Sequence, residues 1–382
     1  METDPKKQRQ QFYRDYVSGQ WSMSELCDRY QISRPTGYKW IGRIETDGLR
    51  AVADRSRAPR IQSNRTPERI EHELIALRVR YGWGATKLLQ IIERSHPTWD
   101  LPARSTVNQI LDRHGKLRKN RRRKRWKHPG ALRLETAGPN QIWPADFKGQ
   151  FKARDGKYCY PLTVTDHYSR MLLLCKGLLS VRTEGAKPAF KQLFREYGVP
   201  DAIRTDNGAP FASTGIHGLC ELNVWWMKLG IVHQRIRPAS PQENGQHERM
   251  HKDLKREAAR PPAENLAKQQ RRLDQFRHRY NYERPHEALD GDFPAERWQR
   301  SEKEYSGRLR RPEYPGHLEV RRVSASGTFR LLSGQYFLSN ALKGEHIGLE
   351  EVDDAIWSIV YYNTILGRID LQTGTITGND KL

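Results

Sequence analysis

The chain has 382 residues, 36% hydrophobic and 29% charged, and its 67 Lys and Arg outweigh 45 Asp and Glu for a formal charge of +22. That length allows two or more domains with cores of their own, and that charge expects a polyanionic partner, nucleic acid ahead of an anionic membrane. No run approaches the ~18 apolar residues of a membrane span or the apolar core of a signal peptide. Cys27, Cys159, Cys175 and Cys220 form no Cys-x-x-Cys pair, which argues against a zinc finger and for reduced intracellular thiols.

Residues 7–45 read as three short helices. Phe12, Tyr13, Tyr16 and Val17 give the first an apolar face, and Met23 to Tyr30 forms the second. A tight turn at Gln31-Ile32 leads to Ser33 as N-cap of the third, with Pro35 in its first turn. This is a helix-turn-helix pattern, assigned to 1–55, in which Arg34, Thr36, Tyr38 and Lys39 would meet DNA. A plain three-helix bundle is the alternative; the charge favours DNA. After a polar linker (56–65) the unit recurs at 66–115. Thr66 and Pro67 open a helix with Ile70, Leu74, Leu77 and Tyr81 on one face, Gly82-Trp83-Gly84 breaks it, and Ala85 to Glu93 follows. Ser105 caps a third helix carrying Val107, Ile110 and Leu111, and Arg104, Ser105 and Thr106 are its DNA-facing candidates. Within a basic linker (116–138), Lys116 to Lys127 packs nine Lys or Arg into twelve residues, including Arg121, Arg122, Arg123, Lys124 and Arg125. Such a run repels itself until phosphate neutralises it, and binds DNA with little sequence information and a steep salt dependence.

Residues 139–300 read as an α/β domain with a helical extension. Ile142 to Phe151, Tyr158 to Thr165 and Arg170 to Lys176 can pair as a meander, turned at 154–157 and 166–169. Thr183 caps the next helix, Ala202 to Thr205 is a strand, Leu219 to Leu229 a helix, Ile231 to Ile236 a strand, and a helix starts near Asn244. Three antiparallel strands, then helix, strand, helix, strand, helix is the order of an RNase H-like fold with a mixed five-stranded sheet. That order brings the ends of the first and fourth strands to the last helix. Further on, Leu273, Phe276 and Tyr280 mark another helix. From Val320 to Leu371, short β-runs separated by Gly- and Asn-bearing breaks predict a small SH3-like β-barrel, assigned to 301–382. The fold class expected is multidomain α+β.

Three acids on separate elements of the α/β domain stand out. Asp146 ends Trp143-Pro144-Ala145-Asp146, Asp206 lies in Thr205-Asp206-Asn207-Gly208, and Glu248 lies in Gly245-Gln246-His247-Glu248-Arg249-Met250-His251. Phosphodiester cleavage needs an activated nucleophile and a stabilised leaving oxygen; two divalent ions held by hard carboxylate oxygens supply both, and Mg²⁺ is the expected ion. Glu243 is the rival third acid, on another face of the chain from Glu248. His247-Glu248-x-x-His251 also matches the H-E-x-x-H zinc-protease pattern, but that reading leaves Asp146, Asp206 and the charge unexplained. Asp155 and Asp166 read as turn residues and Asp201 as a surface acid.

Trp143-x-x-Asp146, Thr205-Asp206-Asn207-Gly208-x-x-Phe211 and Pro241-x-x-x-Gly245-x-x-Glu248-x-x-x-Lys252-x-x-Lys255 resemble the integrase core of DDE transposases and retroviral integrases. The chain order is most similar to bacterial insertion-sequence transposases of the IS481 and IS3 type. Tyr280-Asn281-x-Glu283-Arg284-Pro285-His286-x-Ala288-Leu289 is similar to their downstream signature. The resemblance implies that Asp146 bridges two Mg²⁺ ions (Mn²⁺ able to substitute) while Asp206 and Glu248 each complete one. It further implies that Asn207, Lys252 and Lys255 face DNA. It implies hydrolysis at element ends followed by 3′-OH strand transfer into target duplex by a homodimer or tetramer, in a cytoplasmic, nucleoid-associated bacterial protein. A catalytically silent DNA-binding regulator with the same fold is the alternative. Two departures stand: the 41 residues between Asp206 and Glu248 exceed the retroviral spacing, and the N-terminus lacks a His/Cys zinc module.

Overall fold

Residues 4–49, 53, 65–117, 136–213, 215–236 and 245–378 are described by the computed structural model, in which the chain divides into two units at Pro67/Glu68. In the first, α1 (Pro5–Val17), α2 (Met23–Arg29) and α3 (Arg34–Asp47) enclose Phe12, Leu26, Cys27 and Ile41, with Tyr30 and Trp40 edge-on to the Phe12 ring. A capping box closes α2: the Ser22 N–H donates to Glu25 Oε2 (2.8 Å) and the Glu25 N–H to Ser22 Oγ (3.4 Å). Ser33 does precede α3, but its hydroxyl pairs with Thr36 Oγ1 (2.9 Å) and caps no backbone N–H. Gly37 lets α3 come close, since a Cβ there would stand 2.9 Å from Cys27 Sγ and 3.0 Å from Phe12 Cζ. Arg34, Tyr38 and Lys39 remain exposed on α3 and Thr36 is half-buried.

The second unit opens with α4 (Glu68–Tyr81), α5 (Ala85–Ser95) and α6 (Arg104–Arg113), packed on Ile70, Leu74, Leu88, Ile92, Val107 and Ile110. Buried Glu71 accepts from Arg113 Nη2 (2.6 Å), which ties α4 to the end of α6. Ala103 is the N-cap position of α6, so Ser105 is the second residue of that helix and not its cap. Arg104 and Ser105 are exposed there and Thr106 is half-buried. Arg121, Arg122, Arg123, Lys124 and Arg125 lie outside the described residues.

The α/β domain follows: β1 (Ile142–Phe147), β2 (Phe151–Lys152), β3 (Tyr158–Thr165), β4 (Leu172–Leu178), α7 (Thr183–Tyr197), β5 (Ala202–Thr205), α8 (Glu221–Lys228), β6 (Val232–Arg235), α9 (Gly245–Leu254) and α10 (Leu266–Tyr282). The long first strand expected from Ile142 to Phe151 is split, with Gly149 at φ 81 between β1 and the two-residue β2. Arg182, not Thr183, holds the cap position of α7. Strands run in the order β4-β3-β1-β5-β6, with β2 alongside β3 next to β1. β1 is antiparallel to β3 and parallel to β5, and β5 is parallel to β6, the mixed RNase H-like arrangement. Alternation along β3 sorts the two faces. Leu162 and Val164 join Trp143, Phe190, Phe194 and Trp226 beneath α7 and α8. On the other face Cys159 joins Met250, Leu254, Leu273 and Phe276 beneath α9 and α10.

Residues 301–318 strap the α/β domain, the Val199 N–H donating to Lys303 O (2.8 Å) and the Arg310 N–H to Lys228 O (2.8 Å). Beyond them come β7 (Glu319–Arg322), β8 (Thr328–Leu331), β9 (Gly334–Phe337), β10 (His346–Asp353), β11 (Ile356–Tyr361), β12 (Thr364–Asp370) and β13 (Thr375–Gly378). They form an open antiparallel sheet, β13-β12-β11-β10-β7, with β8–β9 as a separate hairpin. The expected barrel is therefore not closed among the described residues. Its apolar face is covered by α8 instead. Val224 and Met227 enter the cluster of Phe329, Ile347, Leu349 and Ile359, while Leu222, Trp225 and Trp226 enter that of α7 and β1. A helix apolar on every side is one buried on every side. No helix among the described residues is long and apolar enough to cross a membrane.

Candidate metal centre

The parallel register of β1 and β5 sets Ala145 opposite Thr205. Asp146 and Asp206 therefore leave adjacent strands at the same level, where the carboxyl ends of a parallel pair open into a crevice. The Asp146 side chain is 16% exposed. Asp206 is half-buried, and its Oδ1 accepts from the Gly208 N–H (3.1 Å), closing the Asp-Asn-Gly turn. Phe211 is the anchor of that loop, buried against the Phe147 ring (5.6 Å) and the Trp226 ring (6.3 Å). Asn207 is exposed, but its Nδ2 donates to Ile236 O (3.0 Å), so the amide fastens the loop to the end of β6.

Glu248 is exposed on α9, and its neighbours explain how that helix is seated. His247 and His251 face inward, each Nε2 on the Thr163 hydroxyl at 2.9 and 2.7 Å. Thr163 is the antiparallel partner of Asp146 and its hydroxyl also reaches Asp146 O (2.9 Å). His251 Nδ1 stands 3.8 Å from Asp146 Oδ2. One threonine thus joins β1, β3 and α9 beside Asp146, and Glu248 leaves α9 about 100° around from His247. The H-E-x-x-H reading ends here, because both imidazoles converge on a buried hydroxyl. Among the described residues, no group of three or more His, Cys, Asp and Glu side chains is gathered so as to hold a metal ion. The structure places Asp146 and Asp206 side by side, with Glu248 on the helix docked next to Asp146. Glu243 lies outside the described residues. Lys252 is exposed on α9; Lys255, also exposed, begins a π-helical turn (Lys255–Ala259), so it is not simply two α-turns past Glu248.

Thr163 and the inward histidines carry no signal of their role in the sequence; only the β1–β3 register exposes it. The same is true of Asp166. It is a turn residue as expected, yet fully buried, accepting from the Asn140 N–H, the Ser169 N–H and Ser169 Oγ, each at 2.7 Å. Burial raises its carboxyl above the ordinary range against those hydrogen bonds.

Burial also pushes His167 and His247 down to about 4, and His233 and His286 to about 3. All four are neutral when folded and protonate more readily when unfolded, so the unfolded state binds more protons below pH ~6.5. Thermal stability should therefore fall as pH is lowered from 7 to 5, before most carboxylates titrate. Melting curves at half-unit steps give the measurement; a flat profile over that window would mean these imidazoles are solvated.

The downstream signature closes over the other side of α9. Asn281 pairs with both backbone groups of Leu172, accepting from N–H (2.8 Å) and donating to C=O (3.0 Å), which fixes α10 to β4. Arg284 Nη2 donates to Asp253 Oδ2 at the end of α9 (2.5 Å), and Nη1 lies 3.6 Å from Glu257 Oε1. Tyr280 is buried with its ring against His286. Glu283 and Pro285 reach the second helix-turn-helix, Glu283 Oε2 accepting from Tyr81 OH (2.9 Å) and Pro285 O from Lys87 Nζ.

Residues 136–241 and 229–294 match two integrase core domain families, residues 8–60 match a helix-turn-helix domain, and residues 36–111 match a homeodomain-like domain. A Gag-Pol polyprotein of avian reticuloendotheliosis virus is 31% identical over 129 residues, 34% of this chain and 10% of that protein. An insertion element IS476 protein of Xanthomonas euvesicatoria, described as an uncharacterized 39.2 kDa protein, is 28% identical over 188 residues, 47% of this chain and 51% of that one. The chain thus spans about half of one of these relatives and a tenth of the other. Among solved structures, the HTLV-2 integrase catalytic core domain in complex with magnesium is 17% identical, with TM-score 0.32 over 43% of this chain and all of that one.

Proposed function

We propose that the chain, with integrase core matches at 136–241 and 229–294 behind helix-turn-helix matches, is a DNA transposase. It binds the ends of an insertion element through α3 and α6, cuts them, and joins the freed 3′-hydroxyl to target DNA. The observation that carries this reading is the Ala145–Thr205 register, which sets Asp146 and Asp206 side by side. The donor set fits a hard cation. Asp146 and Asp206 offer carboxylate oxygens, while the Nε2 atoms of His247 and His251 are engaged with Thr163 and His251 Nδ1 faces Asp146 Oδ2 at 3.8 Å. With Glu248 they would hold two Mg²⁺ ions, replaceable by Mn²⁺, which supply Lewis-acid activation of the attacking oxygen and charge stabilisation of the leaving one.

What the chain itself contributes is placement. The Thr163 clamp seats α9, the helix that carries Glu248, against β1 and β3 beside Asp146, and the Phe211 anchor sets the Asp206 turn. Arg34, Thr36, Tyr38, Lys39, Arg104, Ser105 and Thr106 on the two reading helices, Lys252 and Lys255 beyond Glu248, and the Arg121–Arg125 run engage DNA. In the first step water forms a bond to phosphorus and the 3′-oxygen leaves; in the second that 3′-oxygen attacks a target phosphate and another 3′-oxygen leaves. No protein–DNA covalent bond is needed. Joining two ends requires at least two copies on the DNA.

The test is strand transfer of a labelled end duplex into plasmid with Mg²⁺, wild type against Glu248→Gln. Loss of product with DNA binding retained is expected. Full activity in the variant would move the third carboxylate elsewhere, Glu243 first, and an inactive wild type would favour the DNA-binding regulator.

A further inference from the structure

Two faces of the second helix-turn-helix are put to different uses. The start of α6, with Arg104 and Ser105, is open to solvent. The outer face of α5, where a first helix would ordinarily cross the DNA backbone, is turned onto the segment that follows α10. Lys87, Gln90 and Arg94 recur at helical spacing on that face. Lys87 Nζ donates to Pro285 O. The Gln90 amide lies against Gly291, where a Cβ would meet Gln90 Cδ at 2.9 Å. Arg94 spreads its fork over three residues: Nη1 on Glu296 Oε1 (2.8 Å) and Oε2 (3.0 Å), Nη2 on Asp292 Oδ1 (3.0 Å) and Gly291 O (3.2 Å). Its guanidinium also stacks over the Phe293 ring at 4.3 Å.

The acceptors are also fastened within their own loop. Asp292 Oδ2 is engaged by Arg297 Nε (2.7 Å), Glu296 Oε2 by the Phe293 N–H (2.7 Å), and the loop is closed by the Gly291 N–H on His286 O (2.9 Å). A planar fork meeting prearranged carboxylates is a directional contact, which a lysine point charge does not reproduce.

We infer that this contact is a ruler: Arg94 is a positioning residue that fixes the DNA read by α6 at a set distance from Asp146 and Asp206. It thereby chooses which phosphate is cut. The inference rests on the proposed transposase reading and adds to it that the second helix-turn-helix is registered to the catalytic crevice through α5.

The experiment uses the full chain and a duplex selected from a randomised pool by binding to it. Affinity is measured by fluorescence anisotropy, and Mg²⁺-dependent cuts are mapped to the nucleotide for wild type, Arg94→Glu and Arg94→Lys. In Arg94→Glu, affinity should stay within about twofold, cutting at the wild-type phosphate should fall about tenfold, and cuts should spread to neighbouring positions. Arg94→Lys, which keeps the charge and loses the fork, should show the same spread of cuts to a smaller extent. Unchanged cutting in Arg94→Glu, or an equal loss of binding and cutting, would overturn the ruler and leave the transposase reading standing. Wild type without any Mg²⁺-dependent cut would overturn both.

Discussion

Asp146→Asn should abolish end cutting and strand transfer, by about 10³-fold or more, while leaving binding to end DNA and the melting temperature close to wild type. Three powers of ten correspond to roughly 4 kcal/mol of transition-state stabilisation, the scale of several kcal/mol expected of metal-assisted charge stabilisation. Asparagine keeps the size of the side chain and so preserves packing against His251, which lies 3.8 Å from the carboxylate. It removes the negative charge and one acceptor oxygen, which a hard divalent cation needs. Single-turnover cutting of a labelled duplex gives the rate, and anisotropy gives the binding. A variant that cuts within tenfold of wild type would show that Asp146 is no metal ligand, and the site would have to be rebuilt around Asp206.

The second large effect is on stability. Asp253→Ala should destabilise the second unit by about 3–5 kcal/mol, because removing one partner of a buried ion pair strands the other. Arg284 has only 11% of its side chain exposed, and its Nε and Nη1 have no hydrogen-bond partner among the described residues. Its bond to Asp253 therefore carries most of the compensation. Lys87 is the second cation here, drawn down to about 8 by burial, with Arg284 adding and Asp253 opposing. Without Asp253 the two cations face each other with Glu287 and Glu257 as the remaining acids. Asp253→Leu combined with Arg284→Met should recover most of the loss, since an apolar pair of similar volume has no charge to desolvate. Urea unfolding measures both. A single-variant loss below about 1 kcal/mol would mean that solvent screens this network.

The strands of the sheet and the helix order were legible in the sequence because each follows a local rule: apolar alternation, an Asn-Gly turn, helical spacing. Asp146 and Asp206 were legible as a pair because strand order alone places parallel strand ends together. Cap positions slipped by a residue or more at Thr183 and Ser105, where a favourable residue type stands just inside the helix and no side chain performs the capping. Closure of the C-terminal strands was misjudged for a different reason. Whether a sheet closes depends on what covers its apolar face, and that cover comes from Val224 and Met227, about a hundred residues upstream. The run Leu222-Asn223-Val224-Trp225-Trp226-Met227 was the available clue, too apolar for a helix with one buried side. Thr163 was out of reach because its importance lies in two histidines more than eighty positions away. Likewise, Asn281 and Arg284 could be recognised as part of a signature, yet their work is to fasten α10 and the end of α9 in place.

That α8 is shared has a consequence for how such proteins can be assembled from parts. Swapping in a different C-terminal sheet would require a replacement whose inner surface fits Leu219, Val224 and Met227, residues that the α/β domain itself must also supply. The boundary between the two runs through a helix and has no seam where a recombination event could cut cleanly. The second helical unit instead meets the segment after α10 through polar side chains, Lys87, Gln90 and Arg94. Changes at its outward residues, Arg104 and Ser105 among them, leave the α8 packing untouched, while the C-terminal sheet can change only together with α8.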